Sequence, residues 1–468
     1  MVEGLPTVAE LVKGFRRRSV SPVEVIRTLL ERIERENPRL HAYVDVYAEA
    51  ALLRARASEQ RYASGLPVGL LEGVPLAVKD LLHIEGRRTT AGSTIHAGRA
   101  PATGTATVVS RLLAQGAVPL GKANLVEFAF GGWGTNQGCM TPRNPWDERT
   151  HRNPGGSSSG SAVAVAGGLA AAAIGTDTGG SVRIPAAFCG LTGLKTSQGR
   201  ISNHGCELVS HTLDTVGPLA WTAEDAALLL QAIHGPDPAD PATLQQPPGD
   251  FLARLREPIG GTRIAVAPRE MLGDVEDDIW ASMSDAVRVL LDLGCLRNDA
   301  AFERIDFVAD QAETGILIAS EAYAFHGALL QGEPVPGDAA ARARVLSGAS
   351  ITASRYAAAL RLRELRRREF STVFEAVDLL VLPTLPITAR DVARIDEKDL
   401  APSRLTRFVG YYGLCAIALP AGLSADGLPV SVQLVAPAFR EDLLLRAGAA
   451  FQSVTGHHAL RPILPHSE

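Results

Sequence analysis

Apolar and polar positions along the chain alternate between helical and strand-like spacing. Thr7 to Glu10 forms a Ser/Thr-x-x-Glu capping box before an amphipathic stretch, and Ser21-Pro22-Val23-Glu24 repeats the device with proline at the first helical position. A third helical stretch runs from about Ala48 to Ser64 and stops at Gly65, so residues 1–65 read as a helical layer. The spacing then changes. Leu71 to Lys79 predicts a short apolar strand that ends in Lys79-Asp80, and a helix (Ala106 to Gln115) leads into a strand (Ala117 to Leu120), the crossover pattern of a parallel sheet. Further on, a helix begins near Thr222 and a Pro/Asp-rich surface excursion spans residues 235–249. A strand (Thr262 to Val266) and a helix (Val275 to Leu293) follow, then a long Arg/Glu-rich helix (Ser354 to Glu375) and a strand (Leu379 to Leu382). Two or three average domains would fit in 468 residues, although large α/β enzymes often keep one continuous core at this size.

Composition narrows the functional classes. An apolar share of 46% supports a substantial core, and a net charge of −5 leaves no basic field for nucleic acid. The longest apolar run, Ala162 to Gly175, is shorter than the roughly 20 residues a membrane span requires, and the N-terminus lacks a signal-peptide pattern. The expectation is a cytoplasmic protein with no membrane or nucleic-acid partner. Five cysteines without CxxC spacing indicate neither a disulfide framework nor a zinc site. No metal or cofactor fingerprint is present. Gly116 to Ala123 has the G-x4-G-K frame of a phosphate loop, but Ala123 lacks the magnesium-binding hydroxyl and Pro119 removes a cradling N–H.

The chemistry concentrates between Gly155 and Lys195. Two Gly-Gly-Ser elements, Gly155 to Ser157 and Gly179 to Ser181, flank the apolar run, and a serine after paired glycines presents its hydroxyl beside bare backbone N–H groups. Acyl transfer needs that pairing of nucleophile and oxyanion site. A serine is inert at neutral pH until a base takes its proton, and a lysine serves only when neutral, a state that desolvation at an apolar strand end favours. On position alone Lys79 reads as a surface residue. None of the 11 histidines lies in a G-x-S-x-G context, so a histidine triad is not indicated.

The order GGSS, GTDTGGS, R-x-P, together with Gly73-Val74-Pro75 to Lys79-Asp80 and Asp214 to Pro218, resembles the amidase signature family. That resemblance implies an α/β fold with a large mixed, mostly parallel twisted sheet covered by helices on both faces. It implies one domain made of a helical layer (1–65), a catalytic core (66–234), a variable excursion over the site (235–350) and a sheet-completing part (351–468). It also implies Ser181 as nucleophile, Ser157 as bridging serine after a cis Gly156–Ser157 bond, and Lys79 as base. Thr178, Gly179, Gly180 and Ser181 would supply oxyanion N–H groups, and Asp177 with Arg183 a pair that fixes the turn. Ser158, Ser159 and Ser161 read as helix caps; Ser159 departs from the family, where glycine is common.

The loop Gly131 to Pro145 is a candidate pocket wall, holding Trp133, Asn136, Cys139 and Met140, and the resemblance implies that substrate preference is set between Gly261 and about Gly348. The expected activity is hydrolysis of small-molecule amides, including aryl amides and carbamates (urethanes), without cofactor or metal, by a monomer or homodimer. The alternatives are a glutamine-using amidotransferase A-type subunit or a noncatalytic binding protein on the same fold. Where glutamine-using relatives carry an acid before T-x-P-x-N, this chain has Ser403. Tyr411, Tyr412 and Leu414 read either as an apolar pocket wall or as core packing.

Overall fold

The structure, a computed structural model, describes residues 5–299, 302, 305–331 and 337–463. Its strands are β1 (Tyr43–Val46), β2 (Pro75–Lys79), β3 (Val118–Ala123), β4 (Ala172–Asp177), β5 (Thr192–Lys195), β6 (Thr215–Ala220), β7 (Arg263–Val266), β8 (Leu296–Arg297), β9 (Leu379–Pro383), β10 (Cys415–Leu423) and β11 (Pro429–Ala436). All eleven join in one sheet, in the order β1-β3-β2-β4-β6-β5-β10-β11-β9-β7-β8. The sheet is mixed, as expected, but its parallel share is smaller than expected. Six of the ten pairings are antiparallel. The parallel pairs occur where a helix carries the chain back, as in β2–β3; β10 and β11 instead fold as a hairpin and turn the middle of the sheet antiparallel.

Both faces of the sheet are buried. On β2, Leu76 and Val78 join one apolar cluster and Ala77 the other; on β4, Ala172 and Ile174 lie in the first and Ala173 in the second. This two-residue alternation explains why the central strands read as continuous apolar runs. The second cluster is completed by the helix Ser159–Ala166, whose residues are all buried. A helix apolar all round belongs between layers, and this one starts directly after Ser157–Ser158.

The N-terminal helices form where their caps predict: Val8–Arg16 carries a complete capping box from Thr7, and Pro22–Leu40 starts with Ser21 accepting from the amide of Glu24. The layer is not wholly helical, because β1 pairs antiparallel with β3 at the sheet edge. The phosphate-loop frame lies on β3, where Lys122 is buried and ion-paired with Asp80 at 2.9 Å. Among the described residues no helix is long and apolar enough to cross a membrane.

Candidate active site

Lys79 closes β2 on the same side as Ala77 and is fully buried. Its Nζ lies 2.8 Å from Oγ of Ser157 and 2.8 Å from Oγ1 of Thr176. On the neighbouring strand another buried lysine, Lys122, has a carboxylate partner; the contacts of Lys79 are hydroxyls. Desolvation therefore dominates at Lys79 and brings its pKa down to about 7, while the more distant charges of Asp214 and Asp177 pull it back up. An amine in that range is partly neutral near pH 7 and can accept a proton. The Gly156–Ser157 peptide is cis.

The turn after β4 is held by one carboxylate. Asp177 accepts from the backbone N–H groups of Gly180 (2.8 Å), Val182 (3.2 Å) and Arg183 (3.4 Å), and from Nε and Nη2 of Arg183 at 3.0 Å each. Burial opposes its ionisation, but the Arg183 charge and these hydrogen bonds outweigh burial and hold the carboxyl below its ordinary range. The ion pair with Arg183 is thus where the sequence placed it. Asp214 supports the same turn through Thr178 Oγ1 at 2.5 Å and the amides of Val209 and Ser210; burial pushes it up to about 6 against those bonds.

Of the four expected oxyanion donors, the amide of Gly180 is committed to Asp177. Those of Thr178, Gly179 and Ser181 have no protein acceptor among the described residues. Among the described residues Ser181 Oγ likewise has no hydrogen-bond partner, so Lys79 meets Ser157 but the Ser157–Ser181 link is not formed in this state. Catalytic hydrogen bonds commonly tighten only with substrate bound.

Ser181, Thr178 and Gly179 open onto one cavity, walled by Gly131, Gly132, Trp133, Ile184, Ile318 and Pro402. The Gly131 to Pro145 loop is therefore a wall only at its start. Asn136 instead holds that loop through Gly92 O and Leu125 O, and Cys139 and Met140 do not line the cavity. Ile318 and Arg344 come from the stretch expected to set preference.

The expected serine caps are corrected. Ser158 Oγ bonds the backbone of Thr176 and Ser161 Oγ donates to Ile174 O, stitching the helix to β4, while Ser159 Oγ is buried without a partner. Tyr411 and Tyr412 are core: Tyr412 stacks on Phe370 with centroids 4.2 Å apart, and with Leu414 they do not line this cavity.

Sequence reasoning missed the charged part of the cavity, namely Arg344, Glu397, Asp399 and Arg407. The stretch from Ser403 to Gly410 carries no carboxylate, but Glu397 and Asp399, from the residues before it, both line the cavity. Glu397 is engaged with Thr135 and with Arg344 at 3.1 Å, and Asp399 Oδ1 accepts from the amide of Ala401 at 2.8 Å. Thr176 was missed as well, although it sits inside GTDTGGS. No histidine lines the cavity among the described residues.

The two turn glycines differ in what they tolerate. Gly180 has φ +132°, and a Cβ there would sit 2.3 Å from Thr406 Oγ1, which itself donates to Gly179 O at 2.6 Å. Gly180→Ala is expected to cost about 2–4 kcal/mol in urea unfolding. The atoms nearest to a Cβ on Gly179 all belong to the flexible Arg407 side chain, the closest being Cγ at 3.2 Å, so Gly179→Ala should stay within about 1 kcal/mol of the native protein and act on rate.

A buried lysine against a serine beneath a glycine turn with open amides defines a site suited to acyl transfer. The chain belongs to the amidase family, which it matches over residues 24–445. It is 37% identical, over 98% of both chains, to the A-type subunit of the glutamyl-tRNA(Gln) amidotransferase of Chloroflexus aggregans. Among solved structures it resembles a chain from a vestigial protein complex bearing on the origins of an s-triazine catabolic enzyme (TM-score 0.89, 32% identity, 96% of this chain and 98% of that one). It also resembles a bacterial aryl acylamidase of the amidase signature family (TM-score 0.87, 28% identity, 98% and 99% covered). An amidase-type C–N-cleaving enzyme is what these likenesses support.

Proposed function

We propose that the chain hydrolyses the C–N bond of a small amide through an acyl-enzyme on Ser181. The observation that carries this is the 2.8 Å contact of a carboxylate-free, buried Lys79 with Ser157, next to the turn that places Ser181 on the cavity. In this reading neutral Lys79 takes the Ser157 proton as Ser157 takes that of Ser181. Ser181 Oγ bonds the carbonyl carbon, and the open amides of Thr178, Gly179 and Ser181 face the oxyanion. The C–N bond then breaks as the amine leaves with the returned proton, and water releases the acid.

A narrower second reading is favoured by the 37% identity to an amidotransferase A-type subunit: the amide is then the side chain of glutamine, and the ammonia serves a partner protein. Aryl amides draw support from the likeness to an aryl acylamidase. Carbamates rest on no observation here.

A fluorophosphonate probe is expected to label native protein at Ser181 and to leave Ser181→Ala unlabelled. Folded native protein that stays unlabelled would favour the noncatalytic alternative. Ammonia release from glutamine, measured beside p-nitroanilide cleavage, separates the two substrate readings.

A further inference from the structure

Three cavity and turn arginines have different partners. Arg183 is paired with Asp177 at 3.0 Å and Arg344 with Glu397 at 3.1 Å. Arg407, at the start of the short helix Arg407–Tyr411, has no carboxylate within 4.0 Å among the described residues. Its one hydrogen bond runs from Nη1 to the carbonyl of Gln311 at 3.3 Å, so most of the five N–H donors of a guanidinium have no protein acceptor.

The side chain lies across the oxyanion turn. Its Cγ and Nε are 3.2 and 3.6 Å from where a Cβ on Gly179 would stand, on the wall that also carries Ser181. Burial, and then the like charge of Arg344, lower the Arg407 pKa to about 10, with no acid offsetting them. Asp399, the remaining cavity acid, is exposed and stands outside ion-pair reach. An unanswered, partly buried guanidinium is costly to the fold, and a planar fork of donors matches a carboxylate.

We propose that Arg407 binds a carboxylate carried by the substrate, so that the amides accepted are small carboxylate-bearing ones. This rests on the C–N hydrolase reading above and holds whether or not the amide is glutamine's, since a carboxylate is common to both cases. Arg407 is then a specificity residue that holds the far end of the substrate while its amide lies at Ser181.

The test is calorimetric binding to Ser181→Ala protein, which needs no turnover. It uses two isosteric pairs, succinamate with succinamide and glutaramate with glutaramide. At least one carboxylated member should bind at least about tenfold more tightly than its neutral isostere. Adding Arg407→Met should erase that difference, Arg407→Lys should keep part of it, and Arg407→Met should raise Tm because an unpaired charge has been removed. Equal affinity within both pairs, no binding of either acid, or acid affinity unchanged by Arg407→Met would overturn the proposal. A fall in Tm with unchanged affinity would mark Arg407 as structural. Fluorophosphonate labelling of the native protein is scored separately, so loss of the nucleophile and loss of the anion site are read apart.

Discussion

Ser181→Ala is expected to lower turnover of any accepted amide by about 10^4-fold or more, with Tm unchanged. The two halves of this expectation come from the same observation. Ser181 Oγ makes no hydrogen bond within the protein among the described residues and borders the cavity, so removing it neither orphans a buried partner nor opens a void in the core. The rate, in contrast, would lose the atom on which the proposed acyl-enzyme forms. The checks are steady-state hydrolysis with a sensitive ammonia or nitroaniline assay, thermal unfolding, and loss of fluorophosphonate labelling. A variant that keeps a tenth of native activity would move the nucleophile elsewhere, and Ser157, 0% exposed and already engaged by Lys79, would be the next residue to test.

The expectation for Ser157→Ala differs in kind. Its loss leaves Lys79 with Thr176 Oγ1 as its hydroxyl contact, which keeps the amine satisfied but removes the hydroxyl that the proposed relay passes through. A rate loss without a new pKa in the pH profile separates this from any effect on Lys79 itself.

The part of the site legible from sequence is the part confined to short motifs. Gly155 to Pro185 packs a serine, a strand, a turn and the arginine that anchors it into about thirty residues, so the Asp177–Arg183 pair could be placed before the fold was known, and the family resemblance carried by the same motif implied the cis Gly156–Ser157 bond. Lys79 was legible only because its strand carries its own motif. What could not be read is what the sheet brings together from far apart. Glu397 and Arg407 come from the chain just before β10, and Arg344 from a helix in the variable stretch; no local spacing signals that they share a wall with Ser181. Thr176 was visible but not its role, since strand alternation gives a face and not a contact.

The balance of parallel and antiparallel pairs was missed for a related reason. β6 was seen as a D-x-x-G-P motif rather than as a strand, and β1 is four residues between two long helices, too short for periodicity to register. Each pairs antiparallel with its neighbours, and neither pairing could be set against the mostly parallel sheet that the resemblance implied. The serines after Gly156 were misread because a helix start that is buried on all sides satisfies its hydroxyls through the adjacent strand rather than through its own amides.

Lys79→Met is expected to reduce turnover by about 10^2- to 10^4-fold, the range general-base removal commonly gives. The native enzyme should show activity rising with pH through about 7, because burial lowers the Lys79 pKa to that value and only the neutral amine accepts the serine proton. The variant's residual rate should lack that inflection. The stability side has a definite sign. The folded-state pKa lies below the ordinary value of 10.5, so between about 7 and 10.5 the unfolded chain binds more protons than the folded one, and native stability rises with pH across that window through this group. Below about 7 the folded protein holds a buried ammonium with hydroxyl partners alone. Methionine carries no charge there, so Lys79→Met should be more stable than native protein at pH 6 and lose that advantage as the pH approaches 10.5. Urea unfolding of both proteins at pH 6 and pH 9 measures it. A native pH profile flat from 5 to 9, or a variant destabilised most at low pH, would mean that Lys79 is charged in the resting enzyme and is not the base.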